Sequence, residues 1–344
     1  MTEDNGFRIG SEALWELARD TLTDVGVPAD TASLVAGILV DADVRGHPSH
    51  GVAMLPVYVQ RVLEGGILTH ATPTWKHLSE TAGLVLGHGG FGQLAATMAA
   101  EHCAESAHDH GMAVVGVRGN NHIGMLAAYR RQFTERDVIG LILNVSGPSV
   151  SAPGAQFPTL GNDAICLVVP RRTGDPFIVD FATGVVACGK IREAALRGEA
   201  VSTEWLLDNT GHPSADPKDL DRGGSVPVFG GYKGLGVQLI IEVLAGVLAG
   251  GTVSPLVNRQ RQRPDLPMNC SQLFVGFRTS LLGDTDPDAL LHTLDLAIAM
   301  GYKNSPPDCY FPEQRERLHT ARALESGIDI PKALADRLGW ARRA

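Results

Sequence analysis

The spacing of apolar positions predicts helices at both ends of the chain. Apolar residues recur at helical intervals over residues 12–25, over a second segment that begins at Pro28, and over residues 55–64. Ser11 is a suitable N-cap for the first of these helices. The charged tail from Tyr310 onwards is also predicted to be helical.

The middle of the chain alternates between short strand-like runs and helical segments. Strands are predicted over residues 83–86, 112–117, 139–145, 164–169, 177–179 and 273–277. Helices are predicted over residues 93–109, 125–136, 237–248 and 287–300. Little regular structure is expected over residues 193–230 and 252–267. This alternation indicates an α/β domain.

Composition and charge narrow the class of protein. The 344 residues are 44% hydrophobic and 19% charged, as is ordinary for a soluble globular chain of one large domain or two. The formal net charge of −9 argues against a broad nucleic-acid-binding surface, and the basic run at residues 259–263 is interpreted as solvated surface. No apolar run reaches the roughly 18 residues of a membrane-spanning helix, and the acidic N-terminus does not resemble a signal peptide. We therefore expect neither nucleic acid nor a membrane as a partner.

The cysteines indicate a reducing compartment. There are five of them, they are widely spaced, and no Cys-x-x-Cys pair occurs. This pattern argues against a disulfide framework or a zinc knuckle. A cytoplasmic protein with free thiols is the simplest expectation.

The densest group of chemically versatile side chains lies at residues 41–52. Two acids, an arginine, two histidines and a serine occur there between two predicted helices, which can hold the side chains facing a cleft. For this stretch alone, a polar helix end with a Gly/Pro stop is the simpler interpretation. His47 and His50 are also possible metal ligands, but they are separated by a proline and accompanied by no third ligand cluster. No metal site is predicted.

A glycine-rich loop at residues 87–92 fits the pattern G-x-G-x-x-G. It follows a predicted strand and opens a predicted helix, as a dinucleotide-binding loop does, and Arg118 ends the next strand, where it would suit a phosphate. The preceding strand is short for a buried parallel strand. An ordinary glycine turn is therefore the simpler interpretation.

Three further polar residues stand at predicted strand ends or helix starts. His122 follows a strand, where it either lines a ligand site or caps the next helix. Asp180 either accepts hydrogen bonds from a ligand, orients a histidine, or caps the segment after it. Lys233 stands beside glycines at a helix start and suits an anion. Its surroundings lack the pattern of a nucleotide-hydrolysing loop.

Taken together, the motifs keep one order along the chain. They are Asp43-x-Arg45-Gly46-His47-x-Ser49-His50-Gly51-Val52 with Tyr58, Asn121-His122-x-Gly124, Asp180-x-Ala182-Thr183 with Gly189-Lys190, Asp216-Pro217, Lys233-Gly234-x-Gly236 with Glu242, and Tyr310-x-Pro312 followed by Gly327-Ile328. In this combination the chain resembles, nearly end to end, the non-Rossmann malate/L-lactate dehydrogenase family. That family includes ureidoglycolate, sulfolactate and diketogulonate dehydrogenases and the Δ1-piperideine-2-carboxylate reductases.

The resemblance implies an α/β protein with the non-Rossmann fold of that family. Residues 1–75 and 305–344 would form a mainly helical substrate and dimerisation region, and residues 76–304 an α/β nicotinamide-cofactor-binding domain. Members are typically homodimers. The loop at residues 87–92 then becomes a turn without a phosphate-binding role.

The resemblance also implies hydride transfer between NAD or NADP and a small-molecule substrate, at a C=O or C=N carbon beside a carboxylate. His50 is the expected acid or base and Ser49 its relay, because a histidine exchanges protons near working pH. His122 is expected to accept the proton or to line the cofactor. The residues expected on the substrate side are Met54, Tyr58 and Asn162. Those expected to line the cofactor are His122, Gly124, Ser146, Asp180, Phe181, Ala182, Lys233, Gly234 and Glu313.

Three departures from the family pattern affect the expected ligands. Met54 replaces an arginine that holds the substrate carboxylate, a loss of roughly 2–5 kcal/mol unless another group replaces it, so an atypical substrate is expected. Asn162-Asp163-Ala164 replaces Thr-Asn-Pro in a substrate-side loop. Glu313 replaces a glycine near the adenosine end of the cofactor, which slightly favours NAD over NADP. The alternative function is a catalytically silent scaffold that binds cofactor.

Overall fold

The structure is a computed structural model that describes residues 6–172, 174–283, 287–302, 310 and 312–340. Parts of the predicted region 305–344, and Cys309, lie outside the described residues. The described α-helices are α1 (Ser11–Thr23), α2 (Ala29–Val44), α3 (Leu55–Glu64), α4 (Gly92–His110), α5 (Arg130–Thr134), α6 (Cys188–Arg197), α7 (Tyr232–Ile241), α8 (Pro287–Tyr302), α9 (Gln314–Ser326) and α10 (Lys332–Leu338). The described strands are β1 (Phe7–Ile9), β2 (Thr74–Ser79), β3 (Ala82–Leu86), β4 (Met112–Asn120), β5 (Val138–Asn144), β6 (Pro148–Ser151), β7 (Leu160–Gly161), β8 (Ala164–Val169), β9 (Phe177–Ala182), β10 (Val226–Pro227), β11 (Cys270–Arg278) and β12 (Ile328–Ile330).

A seven-stranded mixed sheet forms the centre of the fold, in the order β2-β3-β4-β11-β5-β8-β9. Only β3 and β4 run parallel, and the other neighbouring strands are antiparallel. This arrangement differs from the parallel sheet of a Rossmann domain. A second sheet, β10-β6-β7, has three strands.

Alternating side chains of the central sheet pack against helices on both faces. On one face, Val115 and Phe274 join a cluster with small residues of α4, which allow the helix to approach the sheet closely. On the other face, Leu143 and Leu273 pack against Ile241 and the π-helix that continues α7 over Glu242–Leu248. The sheet is therefore buried on both sides.

The N- and C-terminal segments share a separate apolar cluster. It contains side chains of α1, α2 and α3 together with Trp340 near the end of the described chain. Strands β1 and β12 pair antiparallel, and Trp340 Nε1 donates a hydrogen bond to Thr21 Oγ1 at 2.9 Å. The tail is thus packed onto the helical start of the chain.

Several predicted elements are wrong in position or type. The predicted helix over residues 125–136 is a 3₁₀ turn, Leu126–Tyr129, followed by the short α5. The strand predicted over residues 177–179 extends to Ala182, so Asp180 lies within β9 and does not cap the segment after it. The N-cap of α1 is Gly10, not Ser11.

Other elements were missed or begin earlier than predicted. Helix α6 begins before, and continues into, a region predicted to be mostly irregular, and α7 begins at Tyr232, five residues before the predicted start of 237. The sequence patterns did not predict strands β1, β2, β6, β7, β10 and β12. No helix in the described part of the chain is both long and apolar enough to cross a membrane.

Candidate active site

The stretch at residues 41–52 is a helix end followed by two tight turns. Helix α2 runs to Val44, and two 3₁₀ turns, Pro48–His50 and Val52–Met54, lead into α3. Asp43 stabilises these turns, because its Oδ2 accepts a hydrogen bond from the Val52 amide at 2.7 Å. Burial raises the pKa of Asp43 to about 7.

The tail covers the same turns. Arg45 Nη2 donates to Glu313 Oε1 at 2.5 Å, and His47 Nε2 lies 3.3 Å from Glu316 Oε1. Glu313 is 7% exposed and has a left-handed φ of 69°, a conformation that favours glycine, the residue expected here. Because Arg45 neutralises its charge, Glu313 gives a weaker reason to favour NAD than the sequence suggested.

Ser49 and His50 form one half of the candidate site. Ser49 Oγ lies 3.3 Å from His50 Nδ1, within reach of a hydrogen bond. Gly189, in the first turn of α6, packs against Ser49, and a Cβ at Gly189 would lie 2.6 Å from Ser49 Cβ. The absence of a side chain at Gly189 therefore allows α6 to approach the serine.

His122 forms the other half, two residues after the end of β4. Tyr58 Oη lies 2.7 Å from His122 Nδ1, and Gln93 Nε2 donates to Tyr58 Oη at 2.8 Å. Burial raises the pKa of Tyr58 far above its usual value, so the hydroxyl keeps its proton. With Gln93 as its donor, Tyr58 donates to Nδ1, and the neutral His122 ring carries its proton on Nε2.

The two imidazoles face each other as neutral rings. The His50 and His122 ring centroids are 5.9 Å apart, with an interplanar angle of 14°. Desolvation, and then the charge of His47, lowers the pKa of His50 to about 4. Desolvation, followed by the charges of His50, Arg61 and Arg261, lowers the pKa of His122 to about 3. At neutral pH both rings are therefore able to accept a proton.

The glycine loop at residues 87–92 supports His122. Asn121 Nδ2 donates to the carbonyl oxygens of Gly89 and Gly90 at 2.9 and 2.8 Å. A Cβ at Gly92 would lie 2.4 Å from the carbonyl oxygens of Asn121 and His122. The loop therefore contacts the segment that carries the histidine, and the close approach requires glycine.

Strand β9 presents the next group of predicted residues. Asp180 Oδ2 accepts a hydrogen bond from the Ala127 amide at 2.8 Å, and desolvation raises the pKa of Asp180 to about 6. Phe181 is 41% exposed and makes an edge contact with Phe229, with ring centroids 5.9 Å apart. An exposed aromatic face beside a carboxylate suits a flat heterocycle with polar substituents.

The start of α7 fits the polar part of a nucleotide. Gly230 and Gly231 have positive φ values of 58° and 61°, and no atom lies within 4 Å of a Cβ built at either. Lys233 is exposed and has no hydrogen-bond or ion-pair partner among the described residues. Open glycine backbone and a free ammonium at a helix start are suited to ribose and phosphate oxygens.

The predicted substrate-side residues have other contacts in the free protein. Met54 is 5% exposed and belongs to the apolar cluster of the helical segments. Asn162 Oδ1 accepts a hydrogen bond from the Gly184 amide at 2.8 Å. The Ser146 amide donates to Asp163 Oδ1 at 2.9 Å, which ties one predicted cofactor residue to the altered loop.

The structure adds residues that the motifs did not identify. Fully buried Arg61 uses one nitrogen, Nη2, to bind Asn121 Oδ1 and the carbonyl oxygens of Gly66 and Leu266. Gln93 reaches Tyr58 from α4. The only signal for Arg61 was its position one helical turn after Tyr58, and Gln93 had none. Among the described residues, no group of three His, Cys, Asp or Glu side chains is arranged to hold a metal ion.

Comparison with known proteins agrees with this architecture. The profile of the malate/L-lactate dehydrogenase family matches residues 9–339. The chain is 31% identical to L-sulfolactate dehydrogenase from Methanothermobacter thermautotrophicus, over 97% of this chain and 96% of that protein. It is 30% identical to Delta(1)-pyrroline-2-carboxylate reductase 1 from Burkholderia ambifaria, over 94% of both.

A solved structure shows the same fold. The dehydrogenase from Sinorhizobium meliloti matches with a TM-score of 0.88 at 30% identity, over 98% of each chain. Coverage is nearly complete in each of these four matches, so the likeness extends to the helical ends as well as the central sheet. The chain therefore belongs to the malate/L-lactate dehydrogenase family and is an enzyme of its dehydrogenase and reductase type.

Proposed function

We propose that this enzyme transfers hydride between a nicotinamide cofactor and a carbon of the substrate that stands beside a carboxylate. The substrate is a 2-hydroxy acid, a 2-oxo acid or a cyclic imino acid. The observation that carries the proposal is the facing pair of His50 and His122, whose ring centroids are 5.9 Å apart, each with a hydroxyl at its Nδ1. Two positioned imidazoles suit a reaction in which one proton moves together with a hydride.

His50 is the proposed acid or base. It takes the proton of the substrate hydroxyl or amine during oxidation and returns it during reduction, with Ser49 relaying the proton at His50 Nδ1. His122 lines the opposite side of the reacting carbon, and Tyr58 fixes its tautomer. Because both rings are neutral at neutral pH, the free enzyme is prepared for oxidation, and an anionic substrate would favour the protonated form needed for reduction.

The proposed cofactor residues are His122 with Gly124 and Ser146, then Asp180 to Ala182, and finally Lys233 with Gly234 and Glu313. A bound nicotinamide would supply or accept the hydride. Phe181 and Asp180 would hold its ring and amide, and Lys233 its ribose or phosphate oxygens. We propose NAD or NADP, and the neutralised Glu313 leaves only a slight preference for NAD.

The names of the relatives support a substrate of this class. One is a sulfolactate dehydrogenase and another a pyrroline-carboxylate reductase. A hydroxy acid and a cyclic imino acid share a carboxylate beside the carbon that exchanges hydride. We propose the same chemistry for this chain, with a substrate that does not depend on an arginine at position 54.

A substrate panel tests the proposal. Oxidation is measured with NAD or NADP and malate, lactate or sulfolactate. Reduction is measured with NADH or NADPH and Δ1-pyrroline-2-carboxylate, Δ1-piperideine-2-carboxylate, pyruvate or neutral ketones. Turnover of at least one acid is expected, and it should be at least roughly 10²-fold slower in H50N. Efficient use of malate or lactate would contradict the atypical substrate. Cofactor binding without turnover of any compound would instead support the alternative function, a catalytically silent scaffold. The geometry of Ser49, His50 and His122 argues against that alternative.

The quaternary structure and domain division are also proposals. We propose a homodimer, because the helix formed by α7 and its π-helical continuation exposes the apolar side chains of Leu239, Ile240, Val243 and Val247. The apolar cluster of the two chain ends supports a helical region over residues 1–75 and 305–344, beside a cofactor domain over residues 76–304. Four described cysteines are free, in keeping with a cytoplasmic enzyme.

A further inference from the structure

The basic run at residues 259–263 contains three arginines, Arg259, Arg261 and Arg263. Arg263 pairs with Asp265 at 2.8 Å, but neither Arg259 nor Arg261 has a hydrogen-bonded or ion-paired side-chain partner in the part of the chain that the structure describes. The run was predicted to be solvated surface. Arg261 and Arg263 are exposed, as predicted, whereas Arg259 is partly buried.

The segment that follows this turn is fixed to the candidate active site. Arg61 Nη2 donates to the carbonyl oxygen of Leu266 at 2.9 Å, and the Met268 amide donates to Asn121 Oδ1 at 2.8 Å. Asn121 directly precedes His122. The exposed turn therefore ends beside the segment that carries the histidine.

Each of the two unpartnered arginines is connected to one part of the candidate site. Arg259 Cγ would be 3.1 Å from a Cβ at Gly147, so the stem of Arg259 packs beside the residue after Ser146. The charge of Arg261 reaches His122, where it contributes to the lowered pKa of that ring after desolvation, His50 and Arg61. Partial desolvation, and then the charge of Arg192, lowers the pKa of both Arg259 and Arg261.

Arg192 approaches the same place from α6. It follows Gly189, which contacts Ser49, by three residues, or about one helical turn. Its nearest acid is Asp221, with Arg192 Nη2 and Asp221 Oδ1 3.4 Å apart and the Asp221 side chain 72% exposed. The charge of Asp221 also raises the pKa of Arg259 and Arg261, so three arginines share this exposed acid.

Arginines that outnumber their acidic partners suit an anion, because a guanidinium group binds a carboxylate by paired, charge-assisted hydrogen bonds. The helix that carries Arg192 contacts Ser49, and the segment after the turn is hydrogen-bonded to the residue before His122. The arginine expected at position 54 is a buried methionine. We propose that Arg259 and Arg261, assisted by Arg192, form the anion subsite that binds the carboxylate of the substrate. The inference rests on the proposed function and identifies what replaces the missing arginine.

A phosphate of the cofactor is the competing ligand for these arginines. The observations favour the substrate, because Arg261 acts on His122 and Arg192 follows the glycine that contacts Ser49. The open glycines and free ammonium suited to a phosphate are at a different element, the start of α7. The experiment separates the two ligands.

The test measures anion binding and substrate discrimination in R259Q, R261Q and the double variant. Oxalate is titrated calorimetrically into the enzyme saturated with NADH. Steady-state kinetics compare the best 2-oxo acid of the panel with its methyl ester. We expect each single variant to weaken oxalate binding by about 30-fold or more and to raise KM for the acid similarly, with kcat/KM for the ester nearly unchanged. R263Q is the matched control, because Arg263 is in the same turn but already has a partner.

Each other outcome has a definite meaning. Unchanged oxalate affinity in R259Q and R261Q would overturn the inference. Weakened NADH or NADPH binding with unchanged oxalate binding would assign the arginines to a cofactor phosphate and also overturn it. Failure of the wild type to reduce any compound, while oxalate binding still depends on the arginines, would contradict only the proposed hydride transfer. Thermal unfolding and NADH fluorescence show that each variant is folded, and R261K is expected to recover part of the affinity.

Discussion

A single hydroxyl decides the tautomer of His122. The Tyr58 hydroxyl accepts a hydrogen bond from Gln93 at 2.8 Å and donates one to His122 Nδ1 at 2.7 Å. In Y58F the ring loses this partner and is free to rotate or to move its proton to Nδ1. We expect kcat to fall by roughly 10²-fold, the order of a positioned proton-transfer group, while the free energy of unfolding changes by only about 1 kcal/mol.

The matched control for that variant is Y129F. Tyr129 is equally buried, and its hydroxyl donates to the carbonyl oxygen of Ile123 at 2.6 Å, so its removal also deletes one internal hydrogen bond. Activity of Y129F within a few fold of the wild type, measured by NADH absorbance, would assign the loss in Y58F to the imidazole. Equal losses in both variants would show that packing, not the tautomer, controls the rate.

The depressed pKa of His50 predicts the pH profile of oxidation. Because desolvation lowers this pKa to about 4, the ring is neutral above pH 4 and protonated below it. A protonated ring cannot take the substrate proton, so kcat/KM for hydroxy-acid oxidation is expected to fall as pH falls through about 4. The falling limb should be absent in H50N, whose activity is at least roughly 10²-fold lower. If kcat/KM instead falls around pH 6, and this fall disappears in D180N, the titrating group would be Asp180.

At the scale of single residues, the motifs located the reactive groups but not the groups that hold them. The order of motifs along the chain grouped Ser49, His50 and His122, and the structure places them together, while their catalytic roles stay predictions. The amide of Gln93 is 35 residues from Tyr58 in sequence and belongs to no motif. Hydrogen bonds between distant elements depend on the packing of those elements, which one sequence does not reveal.

At the scale of elements, the loop after β7 places one acid beside another acid of the π-helix that continues α7. Asp163 is fully buried beside Glu242, at a position where the resemblance predicts an asparagine. Desolvation, and then the Glu242 charge, raises the pKa of Asp163 well above its usual value. The folded protein therefore retains a proton that the unfolded chain releases above about pH 4, so its stability falls as pH rises above that value.

The variant D163N tests this pair. Asparagine keeps an acceptor for the Ser146 amide, donates to Glu242 and does not titrate. We expect D163N to melt at a higher temperature than the wild type, with a difference that grows from pH 5 to pH 9 and reaches at least about 3 °C. Melting curves across this range make the measurement, and D109N, at an exposed position of α4, is the control. A difference that does not depend on pH would exclude the retained proton.

Elements with a clear apolar period were predicted accurately, and elements fixed by tertiary contacts were not. Helix α3 and strand β8 have the predicted bounds. The helix predicted over residues 125–136 is interrupted because polar groups compete for its backbone. The Ala127 amide donates to Asp180, and the Tyr129 hydroxyl donates to the Ile123 carbonyl oxygen. These partners come from the folded arrangement and leave no periodic signal.

At the scale of the whole molecule, the resemblance predicted the fold better than the local patterns did. Alternating strands and helices are typical of a parallel sheet, yet β11 inserts between β4 and β5 from more than a hundred residues away and pairs antiparallel with both. Its insertion also brings the segment before it, through Met268, against Asn121, the residue that precedes His122. A pairing over such a sequence distance has no local signal, so the location of this segment could not be predicted either.

The exposed apolar face of α7 and its π-helical continuation predicts that the protein assembles with a second copy of itself. Ile241 and Ala245 of this helix are buried against the sheet, whereas Ile240 and Val243 are 58% and 54% exposed. Apolar side chains on both faces of one helix indicate that a second surface covers the outer face, and a second copy of the chain is the proposed partner. Burial of each such side chain stabilises an interface by about 1.5–3 kcal/mol.

Light scattering coupled to size-exclusion chromatography tests this assembly. The wild type is expected at twice the chain mass. I240D and V243D are expected at the mass of one chain or in a concentration-dependent mixture, because an aspartate on each copy adds two unpaired charges to a two-fold interface. L78D is the control, because Leu78 is 64% exposed on a different part of the molecule. It lies on β2, the edge strand of the sheet, whereas the helix packs against β5 and β11. If V243D stays dimeric while L78D dissociates, the dimer interface would lie at the edge of the sheet and not on this helix.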